Sequence, residues 1–214
     1  MRAGWASNTA RTYGYSISQE GGVAVGATTE FAAAAGDRAA TATTLTVDGR
    51  GYFGGFGAHH VVALRAAAGR SNGDRSGMRI FHLGGADAAS DVIDFGYQAL
   101  SLLRGFPSDA FAGSKVVVIN GEYRFPIAWP QRGLGTWPLF LRNVHATVFG
   151  DAGHAWSDRF RINDMKTSAG GELSIDVIAG YSLPITITGG AAWGRDGIGV
   201  VSGGTVYARI GRAF

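Results

Sequence analysis

The chain has 214 residues, with 35 glycines and no cysteine, a length that suits one all-β domain. The lack of cysteine excludes disulfides and thiolate chemistry. Only 16% of the residues are charged, and the net charge of +3 comes from scattered basic residues without a basic run, which gives little support to nucleic-acid binding.

The first seventy or so residues read as strands separated by glycine-containing turns. A strand-like segment is predicted over residues 12–18, and Gln19-Glu20-Gly21-Gly22 after it is typical of a tight turn. Further strands are predicted over residues 23–31, 39–54 and 58–70. Residues 1–5 lack the apolar core and cleavage site of a signal peptide, so we expect a mature chain, a recombinant form or a piece of something larger.

A long loop is predicted over residues 71–113, and five more strands follow it. Within this loop, residues 91–103 can form one or two helical turns. The five strands are predicted over residues 114–126, 139–156, 170–183, 185–195 and 205–214. The connection between the first two carries Trp129 and Trp137, and such aromatic side chains suit a membrane interface. The pattern therefore predicts eight strands, with residues 12–18 as a ninth candidate.

Apolar and polar side chains alternate along these segments with period two. Residues 139–151 and 172–183 alternate in this way, and the clearest case is residues 114–126. There one face holds Val117, Ile119, Tyr123 and Phe125, and the other holds Asn120, Glu122 and Arg124. Alternation over about ten residues between turns is typical of membrane β-barrels, whose strands meet lipid on one face and the lumen on the other. A soluble antiparallel sandwich also alternates, so both interpretations stay open.

Four short motifs occur in a fixed order along the chain. They are Leu103-Arg104-Gly105-Phe106 in the long loop, residues 120–126 (NGEYRFP), residues 148–156 (VFGDAGHAW) with a Phe-x-Asp-x-Gly pattern, and Ile210-Gly211-Arg212-Ala213-Phe214. In this order and spacing they resemble the C-terminal half of the barrel in the bacterial surface antigen family, the barrel-assembly (BamA/TamA) type of outer-membrane protein. The resemblance covers about residues 23–214.

This resemblance implies an all-β fold, an antiparallel transmembrane β-barrel of the bacterial outer membrane. Family barrels have sixteen strands, so about eight strands predict either half of such a barrel or a small closed one. The interior of an eight-stranded barrel is filled by side chains. We therefore expect residues 1–214 to be one barrel domain and residues 71–113 to lie outside it as a long extracellular loop, unless oligomerisation enlarges the barrel.

The resemblance also gives Arg104 a role. In the family the loop arginine reaches into the lumen and pairs with acidic residues on the next two strands, which correspond here to Glu122 and Asp151. Both lie on the polar face by alternation, and a planar guanidinium suits two carboxylates in a confined space. The alternative is a solvent-exposed Arg104 with Glu122 paired to Arg124 or Arg142, and an eight-stranded barrel favours this alternative.

Other motifs give no support to catalysis. Residues 49–54 fit G-x-G-x-x-G, but the segment that follows reads as a strand rather than the helix that a nucleotide site needs. His59 and His60 are adjacent, so on a strand they point to opposite faces. His145, Asp151 and His154 are a candidate ligand set, although a hydrogen-bond network in the lumen is commoner. We expect no enzymatic activity, no cofactor and no metal site.

The expected function is that of an integral outer-membrane barrel resembling the proteins of outer-membrane protein insertion and translocation. As a short chain it is expected to be a membrane-embedded scaffold without an open pore. Its expected partners are the lipid bilayer and, through Ile210, Gly211 and Phe214 of the C-terminal strand, the barrel-assembly machinery; a homo-oligomer stays open. The alternative function is a soluble β-barrel that binds a small apolar ligand.

Overall fold

The computed structural model describes residues 1–34, 40–86, 102–196 and 201–212. Apart from a short 3-10 turn, Ile162–Asp164, the regular structure in these ranges is β. The strands are β1 Arg2–Asn8, β2 Gly22–Ala34, β3 Ala40–Gly54, β4 Val61–Gly73, β5 Phe81–Leu83, β6 Phe111–Gly113, β7 Lys115–Ala128, β8 Arg132–Gly133, β9 Leu139–Trp156, β10 Lys166–Ala179, β11 Leu183–Arg195 and β12 Val201–Arg212. No helix in the described ranges has the length and apolar character needed to cross a membrane.

Nine of the strands form one antiparallel sheet in the order β1-β2-β3-β4-β7-β9-β10-β11-β12. The short strand β8 adds to β9, while β5 and β6 form a separate two-stranded antiparallel sheet. The predicted all-β, antiparallel class is confirmed. In the described part of the chain the outer edges of β1 and β12 pair with no other strand, so the sheet has two edges there.

The predicted strand over residues 12–18 is wrong, and the first strand lies earlier, at Arg2–Asn8. Local side-chain hydrogen bonds explain the difference, because they give the backbone an alternative to the strand ladder. Asn8 Oδ1 accepts from the Ala10 amide at 2.8 Å, and Ser16 Oγ accepts from the Tyr13 amide at 2.8 Å. The segment between β1 and β2 is therefore a folded connection.

The other predicted strands match observed strands, with shifted boundaries. The largest shift is in β10, which runs over Lys166–Ala179 rather than residues 170–183. It ends early because Gly180 and Tyr181 both have positive φ, 57° and 69°, which is the geometry of a tight hairpin turn. Phe214 and most of the predicted helical segment 91–103 lie outside the described residues.

The two faces of the sheet have the reverse of the usual polarity. One face, the polar face, is buried and carries Thr28, Thr44, Arg50, Asn120, Asn143, Thr147, Asp151, Glu172, Ser174, Asp176 and Thr188. The opposite face, the apolar face, is exposed and carries Val23, Leu45, Val47, Leu64, Ile119, Val148, Leu173, Ile187, Val206 and Ile210. Charged residues are almost never buried in soluble domains unless they are paired. The alternation predicted for β7, β9 and β10 is confirmed, and its polar side is the buried one.

The connections at the two ends of the sheet differ. At one end, the turn end, the strands are joined by residues 9–21, 55–60, 129–138 and 180–182. At the other, the loop end, residues 74–114 join β4 to β7 and residues 157–165 join β9 to β10. Exposed aromatic side chains lie at both ends: Tyr15, Phe53, Phe56, Trp129, Trp137 and Tyr181 at the turn end, and Phe31, Phe160 and Trp193 at the loop end.

The long loop folds onto the polar face instead of lying outside the sheet. Its described residues bury Phe81, Leu83, Leu103 and Phe106 against Ala67 of β4 and Val116 and Val118 of β7. The expectation of an outlying loop is therefore wrong for these residues. The physical reason is that the loop end of the polar face holds an apolar patch, and an open nine-stranded sheet leaves room above it that a narrow barrel lacks.

Candidate functional site

The tip of the long loop places Arg104 against the polar face. Leu103 pairs with Gly85 in an isolated bridge, which holds the tip beside the two-stranded β5–β6 sheet. Gly105 then turns the chain with φ of +89°, and a side chain at this position would lie 2.8 Å from the Gly194 amide of β11. Glycine is therefore required twice, since Gly194 in turn leaves room for the Phe106 ring.

Arg104 is fully buried and is bound by carboxylates from three strands. Its Nε and Nη2 donate to the two carboxylate oxygens of Asp151 on β9, at 2.8 and 2.7 Å. Its Nη1 lies 2.8 Å from Glu122 Oε1 on β7 and 3.3 Å from Glu172 Oε1 on β10. The bidentate contact with Asp151 uses the fixed fork of the guanidinium, so it sets the orientation of Arg104 as well as its position.

Two further groups complete the surroundings of Arg104. The ring of Phe149 covers the guanidinium, with its centroid 3.5 Å from Cζ. Asn120 Nδ2 donates to Asp151 Oδ1 at 2.9 Å and to the Leu102 carbonyl at 3.2 Å. The Arg104 amide also donates to Asp151, at 3.2 Å. Asp151 thereby fixes both the backbone and the side chain of the loop tip.

The charges around Arg104 balance. Glu122 also pairs with Arg124, at 2.7 Å, and Glu172 also pairs with Arg209 of β12, at 2.8 Å. Tyr207 Oη donates to Glu172 at 2.7 Å. Burial by itself lowers the pKa of Arg104, but the hydrogen bonds to Asp151 and the three carboxylate charges outweigh burial and raise that pKa. The paired carboxylates therefore favour the charged form of the guanidinium.

The terminal strand is connected to the loop through the same site. Arg209 Nη1 donates to the carbonyl of Ala86 in the loop at 3.0 Å, while its Nη2 binds Glu172. Gly190 makes space for Tyr207, the other β12 residue that binds Glu172, because a side chain at position 190 would lie 2.7 Å from the Tyr207 ring. Glu172 is thus shared by the loop tip and by β12.

The structure brings together Arg104, Glu122 and Asp151, the three residues that the resemblance placed in one set. The alternative of a solvent-exposed Arg104 is wrong, because its side chain is buried between the carboxylates; the pair of Glu122 with Arg124 that the alternative named is present as well. Gly105 and Phe106 form the turn and the buried contact behind Arg104. The sequence did not identify Glu172 as a partner of Arg104. Glu172 follows a glycine pair on a strand with clear alternation, but the register of that strand against β9 could not be predicted from the sequence.

The C-terminal positions lie apart from this site. Ile210 belongs to the apolar face and is exposed, and Gly211 pairs with Thr186 of β11. Phe214 is outside the described residues.

The candidate ligands His145, Asp151 and His154 do not converge. His145 contacts Asn143 at 3.0 Å, whereas His154 stacks on Trp156 at the loop end. Within the described residues no group of three or more histidine, aspartate or glutamate side chains could hold a metal ion. His59 contacts Glu20 and His60 contacts Tyr123, each at 2.7 Å.

The glycine-rich segment 49–54 lies within β3 and leads to β4, with no helix after it. The charged groups of the Arg104 site are paired with each other, and their contacts fasten the loop to four strands of the sheet, β7, β9, β10 and β12.

No protein-family model matches the chain, and no curated protein matches it in sequence.

Proposed function

We propose that this chain is a membrane-embedded wall of a β-barrel in the bacterial outer membrane, resembling the C-terminal barrel of outer-membrane protein assembly and translocation proteins. It acts as a scaffold whose lumen is occupied by its own long loop, so that no open pore runs along the polar face. The observation that carries this proposal is the reversed polarity of the sheet, with ion-paired charges buried on one face and aliphatic side chains exposed on the other.

Lipid is the solvent that such an apolar face requires. Soluble monomers rarely expose contiguous apolar patches larger than a few hundred Å², and here the exposed aliphatic residues continue across nearly every strand of the sheet. The strands from β2 onward in the sheet have 12 to 18 residues. A tilted strand needs about 9–11 residues to cross a bilayer, so each is long enough. The exposed aromatic residues at both ends of the sheet match the aromatic girdles of membrane barrels.

The number of strands favours a wall of a larger barrel over a small closed one. In an antiparallel sheet of nine strands the first and last run in the same direction, so β1 and β12 are parallel to each other. Direct closure would create a parallel seam, whereas bacterial single-chain barrels have an even number of antiparallel strands. An unpaired backbone edge is not tolerated in lipid. We therefore propose that further strands complete the barrel between β12 and β1.

A soluble barrel that binds a small apolar ligand fits these features poorly. Such a ligand site is lined mainly by apolar side chains. The polar face instead presents Arg50, Arg65 and Arg124 with their carboxylate partners, and the loop covers its apolar patch.

The proposal is tested by placing a charge on the apolar face. Leu173 is an exposed residue of β10, so arginine at this position would leave a soluble protein unharmed. At mid-depth in a bilayer the same change destabilises a barrel by about 2–4 kcal/mol. We expect Leu173→Arg to fold poorly into detergent micelles or vesicles, measured as loss of the heat-sensitive fast band on an unboiled gel. Ser76→Arg, in the exposed loop after β4, is the matched control.

Two results would contradict this proposal. One is a wild-type protein that stays folded and monomeric in buffer without detergent. The other is equal folding of the two arginine variants. Conductance across planar bilayers tests the blocked lumen separately, and the expected result is a closed trace.

A further inference from the structure

One pair of basic residues stands out on the apolar face at the loop end. Arg70 of β4 and Lys115 of β7 are direct register partners, with Leu45 beside the first and Trp156 beside the second. By strand alternation all four side chains belong to the apolar face, since the residues next to them on β4 and β7, Gly69, Ser71 and Val116, are buried.

Among the described residues these two cations have no anionic partner. Arg70 Nε donates to Asn72 Oδ1 at 3.1 Å, and Lys115 Nζ donates to the carbonyls of Ser157 and Asp158, each at 3.3 Å. In the ranges that the structure describes, neither forms an ion pair. The contrast with the polar face is clear, because Arg50, Arg65, Arg104, Arg124 and Arg209 each bind a carboxylate there. Like charges directly opposite each other on paired strands are unfavourable, so this position calls for an anion.

The surroundings define what kind of anion fits. Toward the middle of the sheet the same face continues with Leu64, Ala66 and Ala68 on β4 and with Val117 and Ile119 on β7. An apolar track that ends in two cations and an aromatic ring matches an amphiphile with an anionic head and acyl chains. Phosphate oxygens bind well to arginine and lysine together, the first as a fork and the second as a point charge.

We propose that Arg70 and Lys115 bind the phosphate headgroup of an anionic membrane lipid, whose acyl chains lie along the apolar face of β4 and β7. The inference rests on the proposed membrane location and adds a lipid class and a binding site to it. It also places the headgroup layer of one leaflet at the level of Arg70 and Lys115.

The test compares lipid binding by three folded proteins. Wild type, the double variant Arg70→Gln/Lys115→Gln and the charge-matched control Arg75→Gln/Arg132→Gln are folded in a neutral detergent. Phosphatidylglycerol or phosphatidylcholine is then added, and bound lipid is counted by native mass spectrometry. Each basic residue near a membrane surface contributes enough binding free energy that the loss of two weakens lipid binding about tenfold or more. We expect this tenfold weaker binding of phosphatidylglycerol in the Arg70→Gln/Lys115→Gln variant and not in the Arg75→Gln/Arg132→Gln control.

The outcomes separate this inference from the proposed function. If the wild-type protein gives no heat-sensitive band in detergent, both the proposed membrane location and the lipid site are contradicted. A wild type that folds but binds phosphatidylglycerol no more tightly than the Arg70/Lys115 variant overturns only the lipid site. Inorganic phosphate that displaces the lipid at equal concentration would show a site for a free anion, which also overturns the proposal.

Discussion

Replacing Arg104 with alanine should detach the long loop from the polar face and lower the stability of the whole sheet. Asp151 loses the most hydrogen bonds. Of its donors in the described residues, the buried carboxylate would keep Asn120 and the backbone amide of position 104. Glu122 and Glu172 are less affected, because they retain Arg124 in one case and Arg209 with Tyr207 in the other. Removing one partner of a buried ion pair costs about 3–5 kcal/mol, since the remaining charge stays buried and uncompensated.

That free energy is large enough to measure by heating. A chain of this size loses about 2–4 °C of midpoint temperature per kcal/mol, so Arg104→Ala should lower the midpoint in detergent by about 10 °C. Thermal unfolding followed by far-ultraviolet circular dichroism gives the value, and Arg75→Ala at an exposed loop position is the control. Arg104→Lys should recover only part of the loss, because lysine cannot make the bidentate contact with Asp151.

A double-mutant cycle shows whether the loss comes from the Arg104–Asp151 pair. Asp151→Asn alone should also destabilise, but Arg104→Ala combined with Asp151→Asn should lose about 1–3 kcal/mol less than the sum of the single changes. An unchanged midpoint for Arg104→Ala, or strictly additive losses in the cycle, would refute the buried pairing.

Two further changes test the contacts on either side of Arg104. Gly194→Val should clash with Gly105 and Phe106 and release the loop from the polar face. Limited proteolysis should then cleave faster within residues 74–114 while the sheet stays intact. Gly189→Val is the control, because the space there is open, and it should be cleaved at the wild-type rate. Glu172→Gln should weaken the hold of Arg209 and Tyr207 by about 1–3 kcal/mol, seen as faster amide exchange in β12, whereas unchanged exchange there would argue against Glu172 as the link between loop and strand.

The sequence predicted well wherever the information was local. The alternation over β7, β9 and β10 reports which side chains share a face, because successive residues of a strand point to opposite sides whatever the strand pairs with. The strand positions followed from the same pattern. The failure at residues 12–18 has a local cause too, since the side-chain oxygens of Asn8 and Ser16 accept hydrogen bonds from nearby backbone amides and fold a segment whose pattern resembles a strand.

The sequence by itself therefore determined eight of the nine strands of the main sheet, their two faces and, through the resemblance, the set of Arg104, Glu122 and Asp151. Tertiary structure alone decided three things: that Glu172 joins this set, that β12 is tied to the loop through Arg209, and that the loop covers the polar face. Each of these depends on the register between strands and on the path of a long connection. A one-residue slip in register would move Glu172 to the opposite face, and no pattern within one segment specifies the register between two.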